Sequence, residues 1–540
     1  MAALAAAPAL LASASMLLTI RTVARLMGLT STLALLPLMA ATTPRAPRDD
    51  APQSQTGAGA DLEKEARAMC GGCHAFPPPD ILPRDAWDDA FVRMMYIREN
   101  RAPPVDGPRS GSRAVDLPPD MARVLRFYTA RAPERLPAPE PWPDPRTTGP
   151  IRFERRRLWM KEAPGTPAVS SLQMVDLDGD GRLDLLGTDM QQGLVFHASP
   201  ARNVTTLSVL AEVPYPSRVT VADLNGDGLR DLLVAGLGEF LPGDHAKGTV
   251  IWLPGRGGNK FSAFWFDGWP RVADVQAADF NGDGRLDLAV AAFGWRKTGR
   301  LAILDNQPGD WSKPDFTPHT IDPRTGGIQM IPADLNADRR MDFVALLAQE
   351  HETVVGYINT GGFSFERRVI YAAPHPNWGS SGIQLVDLDG DGDRDVLLAH
   401  GDTFDDFVVK PYHGMQWLEN RGDYPYVAHT LAAMPGVHGI RAADLDGDGD
   451  LDIVAGALLA GGADMDEALL PALGWLEQVK SGVFSRHTIA MGFPRHAALD
   501  VGDIDGDGDL DIAAGYFFMT PKPTDAWVDV WINQAERRSR

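Results

Sequence analysis

A nine-residue pattern with Asp at the first, fifth and ninth positions, and Asp or Asn at the third, occurs seven times in this 540-residue chain. The copies begin at Asp176, Asp223, Asp279, Asp334, Asp387, Asp444 and Asp503, at steps of 47, 56, 55, 53, 57 and 59 residues. A period that regular means an array of like units, and it constrains the fold more than any other feature of the chain. Side-chain oxygens at these positions, with glycines between them, can close around a hard cation such as Ca²⁺, which takes about six to eight oxygen ligands.

The expected ligand sets are Asp176, Asp178, Asp180 and Asp184; Asp223, Asn225, Asp227 and Asp231; Asp279, Asn281, Asp283 and Asp287; Asp387, Asp389, Asp391 and Asp395; Asp444, Asp446, Asp448 and Asp452; and Asp503, Asp505, Asp507 and Asp511. The copy at Asp334 has Ala337 and Arg339 where the others have glycine. Its turn is expected to be strained, with Arg339 standing in for the cation and the site weak or empty. The net charge is -21, but 25 Asp occupy the loop positions, and one Ca²⁺ per loop would leave -7. The acidity therefore reads as cation binding, and nucleic acid is not an expected partner.

Each loop lies between short β-patterned runs, such as Gly382 to Val386 before it and Asp395 to Leu398 after it. A third run follows (Gln416 to Asn420, Gly474 to Gln478, Val530 to Gln534), then a fourth (Phe316 to Ile321, Tyr426 to Leu431, Phe484 to Ile489). Four strands per roughly 50 residues is the unit of a propeller blade. The last unit has only three strands, and Phe153 to Leu158, ahead of the first loop, matches the missing fourth, so the N-terminal strand is expected to close the ring. The whole resembles the FG-GAP or VCBS repeats of calcium-loop propellers, over roughly residues 151 to 534. That resemblance implies a mainly β fold, a seven-bladed β-propeller with Ca²⁺ in its loops.

The cysteines are Cys70 and Cys73 alone, so no disulfide framework is possible. In Cys70-Gly71-Gly72-Cys73-His74 they form the C-x-x-C-H attachment sequence of a c-type haem. Two thiols three apart reach the two vinyl groups, and the histidine swings beneath the iron. A dithiol redox pair or half a zinc site would leave His74 unexplained. A methionine downstream would complete the coordination, with Met94 the first choice and Met95 and Met121 behind it. With a helix-forming run before the cysteines and a proline-led helix from Pro118, residues 58–132 resemble a small all-α class I cytochrome c domain. The chain as a whole is similar to bacterial VCBS-repeat proteins fused to a cytochrome c.

The first 48 residues contain no Asp or Glu, carry Arg21 and Arg25, and run apolar from Leu26 to Ala41. This is the plan of a secretory signal over 1–41, followed by a disordered spacer over 42–57. The apolar run falls short of the ~20 residues of a spanning helix, so cleavage and a periplasmic or secreted product are expected, with a membrane tether if the signal is kept. Residues 133–150 hold seven prolines and read as a stiff linker. Residues 535–540 are a tail.

Strand direction puts the Asp loops on one face and the chemically rich loops on the other. There, His400, Asp402, His413, His438 and His496 are the candidates for catalysis, with His438 and His496 at equivalent positions just before innermost strands. By contrast, His319, His429 and His487 recur at one register of the outermost strand and read as structural. The expected function is an exported electron-transfer protein whose propeller docks a redox partner protein or holds a small-molecule substrate coupled to the haem. The alternatives are a calcium-dependent glycan- or protein-binding propeller with an accessory haem, and a polysaccharide lyase or hydrolase.

Overall fold

The computed structural model describes residues 55–101, 116–146, 149–161, 165–200, 204–257, 260–459, 466–520, 524 and 526–534. The expected signal, the spacer up to residue 54 and the tail lie outside these. Among the described residues no helix is long and apolar enough to cross a membrane.

Three helices come first: α1 (Gln55–Cys70), α2 (Ala86–Arg98) and α3 (Pro119–Arg131). In α2 the buried residues Trp87, Phe91 and Met95 recur every fourth position, one stripe of a helix. In α3 proline stands in the first turn, and Met121, Val124, Phe127 and Tyr128 form the buried face. That face packs against both α1 and α2. Trp87 lies on Tyr128 with ring centroids 4.1 Å apart.

The rest of the described chain forms repeated four-stranded antiparallel sheets, the architecture of a β-propeller. The innermost strands of the seven sheets, hereafter blades one to seven, are Val169–Val175, Pro216–Ala222, Val272–Ala278, Gly327–Ala333, Ser380–Val386, Val437–Ala443 and His496–Gly502. Each neighbours the next, and the seventh neighbours the first. Phe153–Met160 pairs antiparallel with Val528–Asn533, in register from Phe153 opposite Asn533, and supplies the fourth strand of blade seven. The second strands, such as Asp395–His400, are buried along nearly their whole length because both faces press on neighbouring blades, and so their middles read as apolar runs.

Every innermost strand carries an irregularity at its second residue, where the register to the second strand slips. Those residues are Ser170, Ser217, Ala273, Ile328, Ser381, His438 and Ala497. An extra residue in one strand turns its side chain out of the ladder, and at three blades the exposed hydroxyl ties its blade to the next. Ser170 donates to the Pro216 carbonyl, Ser217 to that of Val272 and Ser381 to that of Val437, at 2.9 Å each.

The proline-rich segment is not a free spacer. Trp142 is buried in the core between blades five and six and donates from Nε1 to the Ala433 carbonyl at 2.8 Å. A Cβ on Gly474 would stand 2.4 Å from the Trp142 ring, so the blade has made room for it. The segment straps the outer strands because its tryptophan has apolar area to bury there.

Blades four and five are linked by Glu352, whose Oε2 accepts the Ser380 N–H at 2.9 Å. Burial raises its pKa from 4.5 to about 8. A carboxyl whose folded pKa is raised binds its proton more tightly in the native state. Its contribution is therefore intact below pH 4.5 and is lost as pH rises towards 8. Glu352→Gln keeps the acceptor and removes the titration. It is expected to gain on the wild type by about 1.4 kcal/mol per pH unit through that window, checked by urea unfolding at pH 5, 6, 7 and 8.

Candidate functional site

Cys70 ends α1, and Gly71 to Cys73 turn immediately after it. A Cβ at Gly71 would stand 2.7 Å from the Arg67 carbonyl, so only glycine lets the chain turn so tightly there. The Cys70 thiol packs against the helical core, with the buried Tyr128 hydroxyl as its polar neighbour. Cys73 is exposed. His74 places Nδ1 2.8 Å from the Ala75 carbonyl. Since a carbonyl only accepts, Nδ1 carries the proton and Nε2 is left with its lone pair. Two free thiols and an imidazole with Nε2 available fit the group that C-x-x-C-H implies. Met94 lies off the buried stripe of α2 and is 37% exposed, whereas Met95 and Met121 are buried in the core that Cys70 packs against. Helical period, applied to Trp87 and Phe91, would have favoured Met95 over Met94.

At the far face, the Asp loops share one construction. In the copy at 176, Asp176 accepts the Gly179 and Gly181 N–H groups and curls the loop around itself. In the loops at 176, 387 and 444 the first three carboxylates bring ligand atoms within 4.8 Å of one another, and in the loop at 503 Asp503, Asp505 and Asp511 do so. Burial and the Asp448 charge both raise the Asp446 pKa, a crowding that a cation relieves. Asp444 Oδ1 is buried with no hydrogen-bond partner. The ninth residue is a buried bracket as well as a possible ligand. Asp452 accepts the Leu445 and Gln478 N–H groups, tying the loop to the third strand, and the equivalents at 231, 287, 342, 395 and 511 accept the matching pairs.

On the opposite face the irregular second residues surround the axis, where a cavity of about 320 Å³ opens. Arg218, Arg271, Arg441, Gln329, Phe404 and His438 are in its wall. His438 Nδ1 donates to the Gly436 carbonyl at 2.9 Å. His496 does not share this position. It is the first residue of its strand, where His438 is the second. One residue of offset in a strand reverses the side chain, so His496 is buried against Tyr516, at 4.8 Å between ring centroids.

His400 and His413 do come together, with ring centroids 6.4 Å apart, but in the protein interior. His400 is 2% exposed, stacks on Trp378 at 4.4 Å and has no partner for either ring nitrogen. Burial pushes its pKa down to about 3, and burial with the nearby Lys410 ammonium holds His413 well below its ordinary value. Both stay neutral, which unsuits them to proton transfer near pH 7. Asp402 accepts the Phe404 N–H and shapes the turn.

The loop 401–413 has a second role. Phe404 reaches the axial cavity and meets the His438 ring at 5.9 Å. Further on, Val408 joins the core of the three helices and the Tyr412 hydroxyl donates to the Ile81 carbonyl at 3.2 Å. Arg93 of α2 faces Asp405 at 3.5 Å. One loop thus touches both the helical module and the cavity.

The profile of FG-GAP-like repeats matches residues 176–234, 223–290, 279–345, 334–398 and 400–455, together more than half of the chain. The chain belongs to the FG-GAP-like repeat family. No curated protein matches it. Among solved structures it is similar to BBS1N, solved in complex with ARL6DN, at 13% identity over 70% of this chain and 95% of that one, with a TM-score of 0.42. It is also similar to virginiamycin B lyase from Staphylococcus aureus, at 10% identity over 71% and 99%, with a TM-score of 0.42. Both likenesses are too distant to carry a function over.

Within the FG-GAP array the copy at Asp334 keeps the common backbone without its glycines. Ala337 and Arg339 take φ of 58° and 68°, the left-handed region. The guanidinium paired with this loop is that of Arg340, on Asp338, rather than that of Arg339, just as Arg285 pairs with Asp283 one blade earlier. Ala337→Gly with Arg339→Gly is expected to stabilise the protein. The gain is about 1 kcal/mol for the pair, left-handed strain of ~1–2 less glycine's entropy cost of ~0.5–1 at each site. Urea midpoints at constant slope check it. His429 and His487 are structural, stacked on Trp417 and Trp475 at 4.7 Å and bonded to Glu419 and Glu477 at 2.7 Å. The cavity arginines escaped the sequence reading, although Arg271 and Arg495 stand at one register, just before innermost strands.

Proposed function

We propose that the protein is an exported c-type haem electron-transfer protein whose helical module is carried on a calcium-stabilised FG-GAP propeller. The observation that carries the reading is the arrangement at the end of α1: two free thiols three residues apart, and His74 with Nδ1 committed to a carbonyl and Nε2 available. When bound, haem supplies a one-electron couple. Cys70 and Cys73 would hold it by thioether bonds, His74 Nε2 would be a ligand to its iron, and Met95 or Met121, buried beside Cys70, would be better placed than Met94 to be the other. The crowded carboxylates of the Asp loops favour Ca²⁺ there.

The propeller's part is to present a substrate or a redox partner to the module, and the loop 401–413, shared by helical core and axial cavity, supports this. The polysaccharide lyase or hydrolase reading has less support, because His400 and His413, candidates for acid–base work, are buried with pKa values held below the ordinary one. The test is a visible spectrum of the exported protein with and without dithionite, followed by acid–acetone extraction. A sharp reduced band that stays with the polypeptide is expected, and a colourless or fully extractable product overturns the reading.

A further inference from the structure

The axial cavity has a charge left over. Its wall contains Arg218, Arg271, Arg441 and His438 but no Asp or Glu, in a chain of net charge -21. Two of the three guanidiniums are neutralised from behind. Arg218 faces the fully buried Asp274 at 3.4 Å, and Arg441 Nε donates to Asp500 at 2.8 Å. Arg271 is 9% exposed, its guanidinium makes no hydrogen bond or ion pair among the described residues, and its Nε is wholly buried with no partner. The acid that acts on it through space, Glu239, is itself paired with Lys247. Burial lowers the Arg271 pKa to about 10, so it remains a cation at neutral pH.

The same register in blade seven shows what is missing. Arg495, also just before an innermost strand and 8% exposed, is held by both oxygens of Glu467 at 3.0 Å. Arg271 has the same burial and no such partner, and a buried cation ordinarily has one. The wall also offers aromatic rings: Phe293, whose ring lies 5.5 Å from the guanidinium carbon, and, elsewhere in the same cavity, Phe404 and Phe517. The hydroxyls of Ser170, Ser217 and Ser381 are spent on carbonyls of the next blade. A volume of about 320 Å³ suits a metabolite-sized ligand.

We propose that this cavity binds a singly charged organic carboxylate, its two oxygens on the Arg271 fork and its body against Phe293, Phe404 and Phe517. A guanidinium matches a carboxylate with two parallel N–H···O bonds, and one uncompensated charge calls for one negative charge. This stands apart from the haem reading and does not require it.

The experiment uses the full chain in low-chloride buffer, with thermal unfolding and titration calorimetry. Benzoate, lactate and gluconate are compared with benzamide, lactamide and glucose, and with chloride and inorganic phosphate. At least one carboxylate is expected to raise the unfolding midpoint by several degrees while its neutral counterpart does not. Arg271→Met is expected to weaken that binding at least tenfold, yet to unfold no earlier than the wild type without ligand, because it removes an unpaired buried charge. Arg495→Met, which orphans Glu467, is expected to unfold earlier. The proposal is overturned by no response to any of the three carboxylates, by an equal response to the neutral compounds or to chloride or phosphate, or by an Arg271→Met variant that keeps the carboxylate response. It is also overturned if Arg271→Met unfolds as early as Arg495→Met, which would give Arg271 a structural partner.

Discussion

Replacing Cys70 and Cys73 together by serine is expected to give an exported protein with no covalently bound haem, a complete loss of the extraction-resistant visible band. A serine hydroxyl does not form the thioether that a thiol makes with a vinyl group, so nothing remains to retain the porphyrin through acid–acetone. Either single replacement leaves one linkage and is expected to reduce the haem content rather than abolish it. His74→Ala should act differently, keeping attachment sites but altering the spectrum, because the available Nε2 is removed. The propeller provides the control. Its blades share no strand with the helices, so the double variant should keep the β-type circular dichroism of the wild type. A double variant that keeps an extraction-resistant band would refute the haem assignment.

Chelation is expected to have the second largest effect. Adding EDTA should lower the unfolding midpoint by ten degrees or more, with recovery on excess Ca²⁺ and poor recovery on Mg²⁺, whose near-ideal octahedral demand suits a flexible many-oxygen loop badly. At a free ion concentration of 100 times Kd each site stabilises by about 2.7 kcal/mol, so four sites give roughly 10 kcal/mol. The four all-carboxylate loops, at 176, 387, 444 and 503, are the ones with three carboxylates in ligand range. Asp446→Asn with Asp448→Asn should remove one site's share, while the same change at Asp338 should cost little, since Arg340 already pairs with that carboxylate. Scanning calorimetry of the three proteins with and without EDTA checks this. A wild-type midpoint indifferent to EDTA would make the loops plain acidic turns.

Features built from near neighbours were legible in the chain itself. The Asp loops, their period, the four runs per unit and the closing strand at Phe153 to Leu158 all follow from local patterns. So does the strained backbone at Ala337 and Arg339, because backbone preference and side-chain period are properties of a few adjacent residues. The structural reading of His429 and His487 rests on the same regularity and agrees with their stacked, ion-paired settings.

What depended on phase or on a distant partner was not legible. A one-residue irregularity at the second position of each innermost strand separates His438, on the cavity wall, from His496, packed under Tyr516. One residue of register is a reversal of face, and no local composition reports it. The linker's Trp142 finds its acceptor at Ala433, nearly 300 positions away, and so the segment became a strap. Sequence alone thus determined the repeating scaffold and the C-x-x-C-H run from Cys70 to His74. Only the tertiary structure decided that Arg495 would pair with Glu467 while the Arg271 guanidinium pairs with no acid among the described residues, because a charge's partner is chosen by how separate loops pack and not by the residues beside it in the chain.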